Sequence, residues 1–154
     1  MGEQASSGWR ILPPVYFVLA LFAMVLVHYV LPGPRWIEAP WRYLGSVLVF
    51  AAVTGVICAA MLFRFAGTAI KPYETSAALV TAGPYRFTRN PMYLGMVTTL
   101  IGTGIVLGTT FPFAVVPLFA VLIQVRFIRM EEGMLESAFG QAYRDYRSSV
   151  RRWI

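Results

Sequence analysis

From residue 92 to residue 125 the chain runs 34 residues without a charged side chain. As one helix that stretch would be roughly 50 Å long, against a bilayer hydrocarbon core of about 30 Å. "GTTFP" at 108–112 breaks it near the middle with residues that favour a turn. The run therefore reads as two spans, 92–107 and 111–125, joined as a tight helical hairpin. Two further uncharged runs, 11–31 and 43–63, each have the 21 residues that one crossing needs. Pro13 and Pro14 are tolerated in the first turn of the first run. Between these runs, "PGPRWIEAPWR" is a proline-rich turn with Trp36 and Trp41 placed as interfacial anchors. The run at 11–31 is longer than a signal-peptide core, and no cleavage site follows it, so it is expected to be retained as a helix.

Composition agrees: 58% of the 154 residues are hydrophobic and 13% are charged, which places the chain in the membrane class. The expectation is an all-α integral membrane protein, a single domain over 1–154, with four transmembrane helices and a C-terminal amphipathic interfacial helix. That last helix is read from Leu135, Phe139, Tyr143, Tyr146, Val150 and Trp153, which recur at steps of three or four, with Arg144, Arg147 and Arg151 on another face.

Net charge is +6, but the basic residues flank the apolar runs, which speaks against a nucleic-acid partner. Four spans place the N-terminus, the 64–91 connection and the C-terminal tail on one side. Arg10, the four basic residues of that connection and the six from Arg126 onward then share this side, with Arg35 and Arg42 opposite. The positive-inside rule makes the crowded side cytoplasmic. The expected location is the inner (cytoplasmic) membrane of a prokaryote, with both termini in the cytoplasm. Cys58 is the single cysteine, so no intrachain disulfide can form. It is read as a small buried apolar residue, and the lone His28 as interfacial rather than a metal ligand.

Polar chemistry gathers at both open ends of the predicted hairpin. "GPYRFTRNPMYLG" at 83–95 precedes the third span, and Arg126, Arg129, Glu131 and Glu132 follow the fourth. Asn90 suits a helix N-cap and Pro91 the first turn. Arg89 and Tyr93 are four apart and share a face. Adjacent carboxylates at a membrane boundary fit either solvated capping or a bound cation or polar cofactor.

The block "LVTAGPYRFTRNPMYLG", followed one hairpin later by "EEGMLESAFGQAYRDYRSSVRRWI", resembles the isoprenylcysteine carboxyl methyltransferase family. That wider group of small integral-membrane methyltransferases also takes in phospholipid methyltransferases. The resemblance covers about residues 64–154, including Gly67 and Thr68 ahead of Pro72 and a basic C-terminal end. It implies S-adenosylmethionine as cofactor and S-adenosylhomocysteine as product. The implied cofactor region is 64–93 with 126–154, and the implied contacts are Leu79, Gly83, Tyr85, Arg89, Asn90, Tyr93 and Glu132. The implied catalytic residues are Arg126 and Glu131. Asn90 stands where many members have histidine, and an amide cannot titrate near neutrality. The implied acceptor is lipophilic and membrane-embedded, with the cofactor on the cytoplasmic face.

Two alternatives stay open, and a third is set aside. A prenylated or small thiol or carboxylate acceptor is one. A non-enzymatic four-span protein is another, although none of the apolar runs carries the ionisable residue a transporter would place there. A sterol-reductase-like role would need a nicotinamide site that the chain does not display. "GTG" at 102–104 resembles a glycine motif of phospholipid methyltransferases, but close helix packing accounts for these glycines better.

Overall fold

The computed structural model describes residues 12–67 and 78–154. Arg10, Ile11 and the Thr68, Lys71, Pro72 and Glu74 part of the predicted cofactor region lie outside the described residues. The helices are α1 (Pro13–Val30), α2 (Arg42–Phe65), α3 (Pro91–Leu107), α4 (Val115–Ile123), α5 (Arg129–Phe139) and α6 (Gln141–Ser149). A 3₁₀ turn over Gly83–Arg86 precedes α3, a second over Phe111–Ala114 precedes α4, and a π-helical stretch, Gln124–Ile128, joins α4 to α5. Among the described residues the only β-type pairing is one isolated bridge between Arg35 and Thr109.

Three helices are long and apolar enough to cross a bilayer: Pro13–Val30, Arg42–Phe65 and Phe111–Phe139. Pro91–Leu107 is a shorter apolar helix of 17 residues, about 26 Å, slightly less than a typical core thickness. The outer faces carry exposed Val18, Leu19 and Phe22 on α1, Val47 and Phe50 on α2, and Leu118 and Val121 on α4. Such faces cost free energy in water and none in lipid. Cys58 is also exposed, on α2. The burial expected for it does not hold, because small residues on the opposite side of α2 take the packing positions.

Those positions explain how α2 and α3 meet. Lipid tails are as apolar as leucine, so helices in a bilayer associate through close packing rather than hydrophobic drive. Gly45, Ala52 and Ala59 recur every seven residues along the buried edge of α2, and Gly95 and Gly102 are likewise seven apart on α3. A Cβ on Gly102 would lie 2.8 Å from the Gly45 carbonyl oxygen, and one on Gly45 would lie 2.6 Å from that of Gly102. Gly104 packs instead against the Phe113 ring. The glycines of "GTG" are therefore packing residues. Gly102→Leu is expected to force α2 and α3 apart and to cost about 1–3 kcal/mol, read as a lower melting temperature in detergent. Gly55→Ala, which meets nothing within 4 Å, should leave it unchanged or slightly raised.

At one end of the bundle the turns lock together. Gly108 closes α3 in the left-handed region at φ 74°. Its carbonyl accepts from Trp36 N, Thr110 Oγ1 donates to the Pro34 carbonyl, and His28 Nδ1 pairs with the fully buried Thr109 hydroxyl at 2.9 Å. His28 thus ties α1 to the α3–α4 turn.

The opposite end departs from the sequence expectation in two ways. The fourth helix does not stop at Val125: it continues through the π stretch to Phe139, 29 residues in all. At about 44 Å it outruns a bilayer core, and Glu131 lies about 30 Å along it from Phe111. The predicted amphipathic helix is not continuous either. Gly140, at φ 50° and ψ −118°, breaks it into α5 and α6, and the chain is non-helical beyond Ser149. Glycine reaches this backbone conformation without steric cost, whereas a β-carbon would oppose it.

Candidate active site

The site forms where the loop before α3, the α5 segment of the long helix, α6 and the C-terminal strap converge. Gly83 starts the local structure at φ 59°, and a Cβ there would lie 2.6 Å from Leu62 Cδ1. The left-handed backbone favours glycine, whereas Leu62 could turn its methyl aside. The 3₁₀ turn that follows buries Tyr85, whose ring packs against Phe63 with centroids 5.2 Å apart.

Pro91 occupies the first turn of α3 as expected, and the Asn90 carbonyl accepts from Leu94 N. The Asn90 side chain does not cap the helix. Its Nδ2 donates to the Arg152 carbonyl at 3.0 Å, the same oxygen that accepts from Thr88 Oγ1, and Arg89 N donates to the Arg151 carbonyl. The strap thus fixes how the amide is turned through its NH2 group, the donor side that an N-cap does not use. Trp153 Nε1 anchors the strap's far end on Gln124 Oε1, inside the π stretch, at 2.8 Å.

Two carboxylates divide the electrostatics. Glu131 accepts a hydrogen bond of 2.5 Å from the Tyr93 hydroxyl. Glu132, buried, accepts a forked pair from Arg152, Nε to Oε1 at 2.9 Å and Nη2 to Oε2 at 2.6 Å. Arg89 Nη2 lies 3.4 Å from Glu132 Oε1, and Arg89 Nη1 donates to Tyr143 Oη at 3.3 Å. Two guanidiniums and one carboxylate leave one positive charge in this group. Burial raises the Tyr143 phenol above its ordinary value, raises Tyr146 to about 12, and raises Tyr85 further. All three phenols therefore stay protonated as hydrogen-bond donors near neutral pH. Tyr146 spends its proton on the Tyr85 carbonyl at 2.7 Å.

These groups wall a cavity with about 570 Å³ of space, open mouth included. Leu79, Tyr85, Arg89, Asn90, Tyr93, Glu131 and Glu132 all line it. Phe63, Met92 and Leu135 add an apolar rim. Gly83 shapes the approach without forming wall. Arg126 is exposed and outside the cavity lining. Among the described residues, Tyr85 Oη and Arg89 Nε are buried without a hydrogen-bond partner. Sequence reasoning missed Tyr143, Tyr146 and Arg152. The tyrosines stood in the "FG-x-x-Y-x-x-Y" block, but their direction depends on the break at Gly140.

Residues 41–142 match the family of phospholipid methyltransferases, well over half the chain. The chain belongs to this family. An uncharacterized protein of Haemophilus influenzae is 38% identical over 63 residues, which is 41% of this chain and the whole of that protein. The fold is similar to the solved structure of the eukaryotic intramembrane Ras methyltransferase, isoprenylcysteine carboxyl methyltransferase, with a TM-score of 0.68 and 25% identity over 92% of this chain. The chain spans about half the length of that enzyme, 51%. Tyr143, Tyr146 and the strap with Arg152 lie beyond the matched region of this methyltransferase family.

Proposed function

We propose that the chain transfers a methyl group from S-adenosylmethionine to a lipophilic acceptor that reaches the cavity from the bilayer, with the cofactor bound on the cytoplasmic side of an inner membrane. The observation that carries this reading is a pair of buried polar atoms without partners, Tyr85 Oη and Arg89 Nε, in residues that line the cavity beside two carboxylates. Polar atoms buried without partners are costly and call for a ligand. The residues present fit this cofactor. Arg89, carrying the local positive charge, suits its carboxylate, and the Asn90 amide adds polar wall. Glu131 suits its amine or a cationic acceptor. Tyr85 and Tyr93 offer aromatic faces to the adenine or the sulfonium. Glu132 has both oxygens engaged and contributes by holding Arg89.

When bound, the cofactor supplies an electrophilic methyl group. The chain's own part is positioning and proton transfer. An amine or thiol acceptor would give up a proton as its heteroatom takes the methyl carbon and the carbon–sulfur bond breaks to leave S-adenosylhomocysteine, and Glu131, oriented by the Tyr93 hydroxyl, would receive that proton. Arg126, exposed at the membrane boundary, is placed to meet the headgroup of an incoming acceptor. Arg126→Ala is expected to raise the acceptor KM while leaving S-adenosylhomocysteine affinity unchanged.

A carboxylate acceptor is the second reading, favoured by the fold shared with the isoprenylcysteine enzyme. It needs no base and would depend on Arg126 as a forked partner. The deciding experiment incubates the purified protein with methyl-labelled S-adenosylmethionine and native lipid extract, then identifies the labelled product. Label in an amine- or thiol-bearing lipid supports the first reading, and a base-labile methyl ester the second. No protein-dependent label in any lipid counts against both.

The unpartnered phenol gives a separate check. Tyr85→Phe removes a buried hydroxyl that has no partner, so the melting temperature should stay level or rise, by up to about 1–2 kcal/mol of stability. Ligand affinity should fall. Loss of both together would mean that the hydroxyl is structural.

A further inference from the structure

We propose that Arg152 is a positioning residue, which shares Glu132 so that Arg89 keeps its charge for the carboxylate at the amino-acid end of the cofactor. The inference rests on the cofactor reading above. Arg152 occupies both oxygens of Glu132 through a forked pair, whereas Arg89 makes one longer contact of 3.4 Å to the same carboxylate. Forked guanidinium–carboxylate pairs are the strong form of this interaction. Without Arg152, Glu132 is free to turn its fork onto Arg89, and one positive charge of the group is lost.

The strap is built to deliver this side chain. The main-chain carbonyls of Arg151 and Arg152 accept from Arg89 N, Thr88 Oγ1 and Asn90 Nδ2, and Trp153 is fixed to Gln124. Residues 88–90 are therefore held by the same segment that carries the guanidinium. Arg89 is buried, with 8% of its side chain exposed, and its Nε has no partner among the described residues. A buried cation in a residue that lines the cavity is suited to an anionic group, and its field there depends on how much of it Glu132 cancels.

The test compares two nucleosides by calorimetry on the full chain in nanodiscs. S-adenosylhomocysteine carries the amino-acid end, and 5′-methylthioadenosine lacks it. Arg152→Gln is expected to weaken S-adenosylhomocysteine about tenfold and to leave methylthioadenosine within about twofold. Arg152→Lys keeps the charge but not the fork, so it should show the same selectivity at about threefold. If Arg152→Gln does not fold, Arg152→Lys decides by the same ratio. Equal losses for both nucleosides would make the strap merely structural, and unchanged affinity for both would leave Arg152 without a role. Either result overturns the proposal. If the native chain binds neither nucleoside, the cofactor reading fails and this inference fails with it.

Discussion

Replacing Glu131 by glutamine is expected to lower turnover at least about 100-fold at saturating cofactor, while S-adenosylhomocysteine affinity changes by no more than a few-fold. The substitution keeps the shape of the side chain and its hydrogen bond from Tyr93, but an amide cannot take the acceptor's proton. Glu131 is half-buried on the cavity wall, and among the described residues it is not tied to a guanidinium as Glu132 is. Of the two carboxylates it is therefore the one free to act as a base. Single-turnover kinetics with an identified acceptor would measure the effect. A variant with near-normal rate would remove Glu131 from the chemistry and favour an acceptor, such as a carboxylate, that needs no base.

The second large effect concerns Arg89. Arg89→Met keeps much of the apolar stem but removes the cation that the cavity offers to an anionic ligand end. Affinity for S-adenosylhomocysteine should fall by about 2–3 kcal/mol, or roughly 30- to 150-fold, the range for a lost charge-assisted hydrogen bond plus charge. Stability should fall less than in Glu132→Ala. Arg89→Met leaves Glu132 still paired with Arg152, whereas Glu132→Ala leaves two guanidiniums facing each other, one of them buried. Losing one partner from a buried ion pair typically costs about 3–5 kcal/mol. Thermal unfolding of both variants in detergent, beside calorimetry, separates the two consequences. Equal affinity in Arg89→Met and the native chain would show that the ligand's anionic end lies elsewhere.

Much of this architecture was legible from residue type alone. Charge-free runs of bilayer length give the helices, because a charged side chain inside hydrocarbon is too costly to place without function. Gly108 and Pro112 mark the α3–α4 turn by conformational rules that need no tertiary context. The cavity wall was legible through motif order: Tyr85, Arg89, Asn90, Tyr93, Glu131 and Glu132 stand in blocks that resemble a known family, and these residues do converge.

The rest depended on contacts that no local pattern encodes. The π stretch at Gln124–Ile128 carries no proline or glycine to announce it, and nothing in the local pattern tells that Arg126 within it is exposed. Asn90 follows the N-cap rule by type, but the strap carbonyl holds its NH2 group and no side-chain cap bond forms. Arg152 belongs to a run of basic residues that reads as an interfacial tail, and only the fold brings it to Glu132. Cys58 misled for a related reason. In a bilayer the outer face of a helix is as apolar as its core, so apolar character does not tell which way a residue points.

The most direct test of the central claim is calorimetric titration of S-adenosylhomocysteine into the purified full chain in lipid nanodiscs. Saturable binding in the micromolar range, about −8 kcal/mol, abolished or strongly weakened in Arg89→Met, is the expected result. A folded chain that releases no heat at millimolar ligand would contradict it.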